Sequence, residues 1–398
     1  MGLHSLNRFR EPISRPLLAA ILAVILLGGG AIAWIGLGDR IDDESPTTAA
    51  PGGCLEGAST VPIIADPGVA PALQEIAQNY NAQKPVVRDH CVEIAVRPGD
   101  ARATLDGLRA TRWDTAANGP HPAAWVPESS IWAAALTAGD ADAVQGTAES
   151  LVTSPVLLAV RPEMASTAGT SVMWVQVPYL TYADSFSAYG HRPLKGSIRL
   201  AMPQGPQSAA TSLAAQAFAA NTVSPDEASP LTVAGVRHDD VQVGLKQLMR
   251  DPPSDGDGSA EAAVQAIIDA ESFSDASIRS VPISEQRLYL ATKDHDEARI
   301  GVIRPHGFTP KLDYPMIRLT DGVEAYASDA AAEFLTFARK PAQMKVLTQA
   351  GFRGTGPLPE ATATIGFPEV KDEMPAAEPA AVLAVNRIVL PAAAPRSK

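Results

Sequence analysis

The longest apolar stretch constrains this chain more than any other feature. It begins at Leu17, ends at Leu37 and reads LLAAILAVILLGGGAIAWIGL, 21 residues without an ionisable side chain. A helix of that length is roughly 30 Å long and matches the hydrocarbon core of a bilayer. A helix in a soluble protein would show a polar face, and this stretch has none. We predict a transmembrane helix over residues 16–38.

Charged residues on either side of this helix set its direction. Three arginines lie within residues 1–15, and four acidic side chains follow within residues 39–44. Because positive flanks are retained in the cytoplasm, residues 1–15 are predicted to be cytoplasmic and the rest extracytoplasmic, in a single-pass cell-membrane protein. A cleaved signal peptide is the alternative, since Ala31-Ile32-Ala33 has the small-x-small form that a signal peptidase accepts. Either way, the function is predicted to lie outside the cytoplasm.

The size and charge of the extracytoplasmic part limit its class. About 350 residues are enough for two domains of ordinary size, each with its own core. The chain carries a net charge of −12, and no basic stripe interrupts the sequence. Such a surface repels nucleic acid and anionic lipid headgroups, so we exclude nucleic-acid binding.

Cys54 and Cys91 are the two cysteines of the chain, and both follow the apolar stretch. In an oxidising compartment a lone pair is most simply a structural disulfide. A metal site would need further ligands; His90 is adjacent, but no second histidine lies at a ligand spacing. We predict a Cys54–Cys91 disulfide, no metal and no cofactor.

Apolar periodicity predicts an α/β protein after a linker at residues 39–54 that is rich in Asp, Pro, Thr, Ala and Gly. Strands are predicted at 61–65, 91–96, 123–126, 152–160, 197–202, 280–283, 299–303 and 316–319. Helices are predicted at 69–80, 102–110, 131–137, 208–220 and 328–350, the last broken at Pro341. The opening order strand–helix–strand–helix implies parallel strands with right-handed crossovers. Residues after 354 are rich in Pro, Ala and Glu and are predicted to be disordered, apart from 380–390.

Six short motifs carry a family resemblance. They are Ala65-Asp66-Pro67, Trp125-Val126-Pro127-Glu128-Ser129-Ser130, Ser154-Pro155-Val156-Leu157-Leu158-Ala159-Val160, Ser284-Glu285-Gln286, Leu312-Asp313-Tyr314-Pro315 and Gly351-Phe352-Arg353. In this order and spacing, over about residues 55–356, the chain resembles bacterial extracellular solute-binding proteins of the second periplasmic-binding class. It resembles in particular the envelope-anchored actinobacterial members that often carry a von Willebrand factor A domain after the binding domain. The sequence ends before any Asp-x-Ser-x-Ser metal-site sequence, so we expect that domain to be absent.

The resemblance implies an α/β, two-lobed fold of the second periplasmic-binding type, with ligand held in the cleft between the lobes. Lobe I would comprise residues 55–155 plus 295–356, lobe II residues 156–294, and a Pro/Ala-rich C-terminal tail residues 357–398. The chain would cross between the lobes near 152–160 and return near 289–303.

Ligand groups in such folds lie at loops that end strands and at helix N-termini, where free backbone N–H groups point into the cleft. Mapped onto this chain, the resemblance gives the following ligand-binding candidates: Asp66, Pro67, Gly68, Glu128, Ser129, Ser130, Gln207, Ser208, Ser284, Glu285 and Gln286. Oxyanion-binding relatives tend to have a serine after the first strand, where this chain has Asp66. Together with Glu128 and Glu285, this carboxylate favours a cation, an amine, a polyhydroxy ligand or no ligand.

Several of these residues also have a structural interpretation. The residues that could instead cap the helices following them are Asp66, Ser129, Ser130 and Ser208. Glu285 could face the cleft or the open surface. Trp125 is predicted to be a core residue rather than a stacking platform, and His306 an exposed loop residue.

These features predict a membrane-anchored, extracytoplasmic solute-binding-like protein that holds an unknown small solute, with a membrane transporter or an envelope protein as partner. The alternative is a ligand-free cell-envelope scaffold or protein-interaction module on the same fold. Catalysis is not expected. The sequence contains no Gly-x-Ser-x-Gly, His-Glu-x-x-His or phosphate-loop motif, and a disulfide leaves no free thiol.

Overall fold

A mixed α/β architecture is seen in the computed structural model, which describes residues 54–294 and 299–391. The predicted transmembrane helix, its orientation and the signal-peptide alternative all fall on residues outside these ranges. Within the ranges, no helix combines the length and the apolar character that crossing a bilayer requires. The described residues form one compact unit.

The first sheet holds six strands in the order β2-β3-β1-β4-β10-β5. They are β1 (Ala58–Ala65), β2 (Val86–Val87), β3 (His90–Pro98), β4 (Ala124–Val126), β5 (Glu149–Ser150) and β10 (Pro315–Arg318). β1 runs parallel to β3, from Ala58 opposite Cys91 to Ala65 opposite Pro98, and also parallel to β4. The predicted parallel pairing is therefore confirmed.

The second sheet is built around β6 (Ser154–Val160), which is buried over its whole length. Three further strands, β7 (Ser280–Ser284), β8 (Gly301–Ile303) and β9 (Lys311–Leu312), all pair antiparallel with β6. A strand covered on both faces has no polar side to present, which explains the continuous apolar run SPVLLAV. One apolar core cluster includes side chains from both sheets.

Helices cover the two sheets. They are α1 (Ala70–Asn81), α2 (Ala101–Arg109), α3 (Thr115–Asn118), α4 (Ser130–Gly139), α5 (Pro162–Ala168), α6 (Ser185–Ala188), α7 (Ala209–Val223), α8 (Val233–Val236), α9 (Asp239–Leu248), α10 (Ala260–Asp269), α11 (Glu285–Thr292), α12 (Ala325–Ala338), α13 (Pro341–Gln349) and α14 (Pro379–Val389). The predicted helix at 328–350 is two helices, because Pro341 cannot donate a backbone hydrogen bond and instead begins α13.

The chain crosses between the sheets after β5, where it enters β6, close to the predicted position at 152–160. The return differs from the prediction. β8 and β9 pair with β6, so residues 301–312 lie with the second sheet although they were assigned to lobe I. The chain goes back to the first sheet only at β10, and Leu151 N–H donates to Tyr314 O between the two crossings.

Two segments were predicted incorrectly. Residues 197–202 do not form a strand; Leu200 makes a single bridge to Ser280. Residues 355–379, which were predicted to be disordered, are packed on the body, and Ile365 is fully buried; residues 380–390 were excepted from that prediction and lie in α14 or at its end. The overall composition of residues 355–379 predicts disorder, although a small number of their apolar side chains are buried.

A disulfide joins Cys54 and Cys91, as predicted, with the two Cα atoms 5.3 Å apart. Cys54 precedes β1 and Cys91 lies in β3, so the bond fastens the start of the chain's described part to the neighbouring strand.

Replacing both cysteines by serine should lower the free energy of unfolding by about 3–4 kcal/mol, because the bond closes a loop with a sequence separation of 37 residues. Urea denaturation would measure the loss, and wild-type protein in reductant should show the same loss. An unchanged midpoint in both samples would contradict a stabilising role.

Candidate functional site

Two carboxylates meet at one edge of the first sheet. Asp66 directly follows β1, and Glu128 lies two residues beyond the end of β4. β1 and β4 are parallel neighbours, so their carboxyl ends open onto the same edge. The Asp66 N–H donates to Val126 O at 2.8 Å and holds the two loops side by side.

The second sheet's helices supply the opposing groups. Gln207 and Ser208 precede α7, and the Ala209 N–H at its start donates to Glu128 Oε1 at 2.8 Å. Arg287 lies in the first turn of α11, where its backbone N–H donates to Ser284 Oγ at 3.2 Å. The helix termini thus face the acidic edge of the first sheet.

Arg287 is the centre of a buried ionic cluster with Asp66 and Glu128, here called the Arg287 cluster. Its Nη2 lies 3.1 Å from Asp66 Oδ2 and 3.4 Å from Glu128 Oε2. Both carboxylates are fully buried, and the Arg287 side chain is 6% exposed. A third acid, Glu261, lies 3.4 Å from Nη1 with half of its side chain exposed. The cluster therefore buries two carboxylates against one guanidinium.

Polar groups around the cluster add further hydrogen bonds, although Arg287 Nε and Glu128 Oε2 have no hydrogen-bond partner among the described residues. Gln207 Nε2 donates to Asp66 Oδ2 and Gln207 O accepts from Arg287 Nη1, both at 3.4 Å. The Gly68 N–H donates to Asp66 Oδ1 at 2.8 Å, and Gln286 Nε2 donates to Gly68 O at 3.3 Å. A Cβ on Gly68 would lie 3.0 Å from Asp66 Oδ1, so the close approach favours glycine.

The cluster raises the pKa of both the acid Glu128 and the base Arg287, for different reasons. Burial raises the pKa of Glu128, Arg287 opposes the rise and Asp66 adds to it, and the result is a pKa of about 7. Burial lowers the pKa of Arg287, but Asp66 and Glu128 outweigh it and leave the pKa above its ordinary value. The guanidinium keeps its charge, and Glu128 is the group that can take up a proton.

Of the remaining candidates, Ser129 and Ser130 make hydrogen bonds outside the Arg287 cluster. Ser129 caps α4 by accepting from the Ile131 N–H at 3.4 Å, and the Ser130 N–H donates to Asp313 Oδ1 at 2.8 Å. Burial raises the pKa of Asp313, against the effect of the Ser130 N–H. Ser208 is buried but makes no side-chain capping bond to α7.

Asp66 does not cap α1, whose N-cap residue is Val69 without a side-chain bond. Pro67, on the same loop, is exposed. Trp125 is fully buried, which confirms its place in the core. His306 is exposed, and its Nε2 lies 2.9 Å from Thr170 O.

Glu285 belongs to a separate ionic group. It is fully buried, and its Oε2 lies 2.7 Å from Arg353 Nε while Oε1 lies 2.9 Å from Arg304 Nη2. Both arginines also donate to the C-terminal region, Arg353 to Pro368 O at 2.7 Å and Arg304 to Gly366 O at 2.8 Å. Neither alternative predicted for Glu285 describes this environment.

Sequence reasoning missed the basic residues of both groups. Arg287 directly follows the quoted motif Ser284-Glu285-Gln286, and Arg353 ends the motif Gly351-Phe352-Arg353. A charged residue next to a buried strand end was the available signal, because such a charge needs a partner. The fully buried partners of Arg287 and Arg353 are 68 or more residues away along the chain and could not be named.

A cavity of about 260 Å³ borders Arg287 on the side of α10. Glu261, Val264, Ile283 and Thr364 are among the residues that line it. Across the part of the chain that the structure describes, no group of three or more His, Cys, Asp or Glu side chains is arranged to hold a metal ion.

Residues 61–353 match the family described as bacterial extracellular solute-binding protein. The chain belongs to this family. It is also 34% identical over 363 residues to the uncharacterized protein Rv1836c of Mycobacterium tuberculosis, covering 90% of this chain and 51% of that protein. The chain thus spans about half the length of the curated relatives it matches.

Two solved structures share the fold. Iron-bound HitA from Pseudomonas aeruginosa aligns with a TM-score of 0.50 at 11% identity, over 83% of this chain and 99% of that one. An ABC transporter structure from Clostridium perfringens aligns with a TM-score of 0.50 at 13% identity, with the same coverage. These similarities establish a periplasmic-binding-protein-like fold.

Glu128 should make the stability of the protein depend on pH. Its pKa is raised from 4.5 to about 7 on folding, so the folded protein keeps a proton that the unfolded chain releases in this window. The free energy of unfolding should therefore fall as the pH rises from about 4.5 to 7, by about 1.4 kcal/mol for each pKa unit. Urea denaturation at several pH values would measure this slope.

Glu128→Gln is the matched control, since glutamine keeps an oxygen for the Ala209 N–H but cannot titrate. The slope between pH 4.5 and 7 should be smaller in this variant. Equal slopes in the two proteins would show that Glu128 is ionised normally.

Proposed function

We propose that this chain is an extracytoplasmic module of the solute-binding fold whose cleft is held closed on its own Arg287. It would act as a cell-envelope scaffold or protein-interaction module rather than as a solute receptor. The proposal rests on the position of the Arg287 guanidinium. It lies between the side chains that follow β1 and β4 and the residues at the starts of α7 and α11. These groups are where a ligand of this fold would be expected.

Electrostatics argue against a second cation at this position. Asp66 and Glu128 already share the guanidinium, and both are fully buried. A bound amine or metal ion would have to displace Arg287, which would then lie buried without a partner or move with α11. Leaving a buried charge unpaired costs several kcal/mol, and the ligand's own interactions must exceed that cost.

The solute-receptor function is the second candidate. It is supported by the family, which is one of solute-binding proteins, and by the contacts that Asp66, Glu128 and Gln207 make with Arg287. A receptor built on this site would take a guanidinium- or amine-bearing solute, the chemistry that Arg287 itself presents. A transporter partner would belong to this second function only.

Membrane attachment through residues 17–37 is part of the proposal. The extracellular description of the family supports an extracytoplasmic location for the binding domain. The similarity to members that carry a von Willebrand factor A domain remains a prediction.

Replacing Arg287 by alanine should leave the position of its guanidinium, beside Asp66 and Glu128, unfilled. Removal of one partner from a buried ion pair typically costs about 3–5 kcal/mol, so the free energy of unfolding should fall by that order. Millimolar guanidinium should restore part of the loss in R287A and leave the wild-type protein unchanged, because the wild-type site is already filled. Thermal unfolding with and without guanidinium would measure both effects.

Arg339→Ala is the matched control, because Arg339 pairs with Glu149 at the surface. This variant should lose little stability and gain none from guanidinium. If R287A does not fold, Arg287→Met removes the positive charge but keeps an unbranched side chain, and allows the same comparison. Failure of guanidinium to stabilise either Arg287 variant more than the control would refute self-occupation.

The wild-type domain should show no thermal shift with amines, guanidines, sugars, metal ions or oxyanions. A true ligand at a hundred times its dissociation constant would add about 2.7 kcal/mol to the free energy of unfolding. A shift with one compound class, abolished by Asp66→Asn, would establish the receptor function instead.

A further inference from the structure

The C-terminal region forms a third connection between the two sheets, beyond the two chain crossings. It comprises residues 357–391, here called the strap. Its first part is held on the second sheet, and its helix α14 lies between helices of both sheets. This arrangement is independent of whether the cleft binds a solute.

The Glu285 group fixes the beginning of the strap. Arg353 and Arg304, both paired with Glu285, donate to Pro368 O and Gly366 O. Next to these bonds, the ring of Phe367 packs edge-on against Tyr289 of α11, with 5.5 Å between the ring centroids. The two arginines that pair with the buried Glu285 thus also bind two backbone carbonyl groups of the strap.

Backbone hydrogen bonds hold the middle of the strap. The Thr309 N–H donates to Asp372 O at 2.7 Å, and the Met374 N–H donates to Thr309 O at 2.8 Å. Further along, the Glu378 N–H donates to Leu231 O at 3.0 Å, just before α14 begins. These residues of the body all belong with the second sheet.

Helix α14 then reaches across to the first sheet. It packs against α4, which follows β4 of the first sheet, and against α7, α8 and α9 of the second. Its apolar face is buried, with Ala381, Val382, Val385 and Val389 inside the core cluster. Ser212 of α7 bonds Asn386, and Arg102 of α2 donates to Pro391 O at 3.1 Å.

We propose that the strap is a clasp that holds the two sheets together, so that its release, and not a solute, opens the cleft. The clasp and the Arg287 cluster connect the same two sheets, but the clasp does so mainly through apolar contact. Loss of α14 would remove the contact with α4 while leaving the strands of each sheet paired. The inference holds for a scaffold and for a receptor alike.

The Ala209 N–H is a direct reporter of this closure. It donates to Glu128 Oε1 from the start of α7, so its protection from hydrogen exchange depends on contact between the sheets. In full-length protein carrying Val382→Ser and Val385→Ser, exchange at Ala209 should speed up at least about tenfold, while amides within the β1–β3 ladder keep their rates. Ala380→Ser, at an exposed position of the same helix, is the control and should change neither.

A distance measurement tests the same motion directly. Spin labels introduced through Glu75→Cys on α1 and Ser166→Cys on α5 place one label on an exposed position beside each sheet. The native cysteines are both in the disulfide and do not react. The distance distribution should lengthen or broaden in the Val382/Val385 variant only.

Two outcomes would overturn the clasp. Unchanged Ala209 exchange and unchanged label distances would show that α14 does not restrain the sheets. Equal acceleration in the β1–β3 and β6–β7 ladders would show general destabilisation. If the double variant does not fold, Asn386→Ala with Arg102→Ala removes two strap contacts without changing the apolar face. A solute found for the wild-type protein would refute the self-closed cleft but leave these results unaffected.

Discussion

The ion pair between Arg287 and Asp66 is the contact on which the arrangement of the two sheets depends. It joins the end of β1 to the first turn of α11, residues 221 positions apart along the chain. Glu128 completes the cluster from the neighbouring strand and also receives the first free N–H of α7. Because each charge is buried, each requires the others in place, so the loops have one favourable arrangement rather than several.

Local sequence patterns predicted most strands, because the apolar residues that indicate a buried strand belong to the strand itself. β6 is the clearest case, since it is apolar throughout and buried throughout. Residues 197–202 are an exception, because they are not a strand despite their apolar pattern. Ile198 and Leu200 are buried, as an apolar pattern predicts, but Arg199 has a positive φ of 39° and the segment joins no ladder. Burial could be read from the residues, whereas backbone pairing depended on neighbours distant in sequence.

The candidate site also has one part that could be predicted from the sequence and one part that could not. Asp66 and Glu128 could be placed together because parallel neighbouring strands end at one edge of a sheet. Arg287 could not be assigned as their partner, because that contact depends on how α11 is set against the first sheet. The part of the strap before residue 380 was wrongly predicted to be disordered, because its composition is rich in Pro, Ala and Glu. Residues 380–390 were excepted from that prediction: Val382, Val385 and Val389 recur at helical spacing, and α14 packs against α4 and α7.

Two chemically different sets of contacts, the Arg287 cluster and the clasp, therefore hold the two sheets together. The Arg287 cluster is electrostatic, and protonation of Glu128 changes its charge balance without removing the Arg287–Asp66 pair. The clasp is largely apolar, so it responds to temperature and to denaturants, and only weakly to salt or pH. A cleft closed by charge alone would weaken as the pH rises and Glu128 loses the proton that the folded protein holds. The presence of an apolar clasp explains how the sheets can stay together across the pH range in which Glu128 titrates.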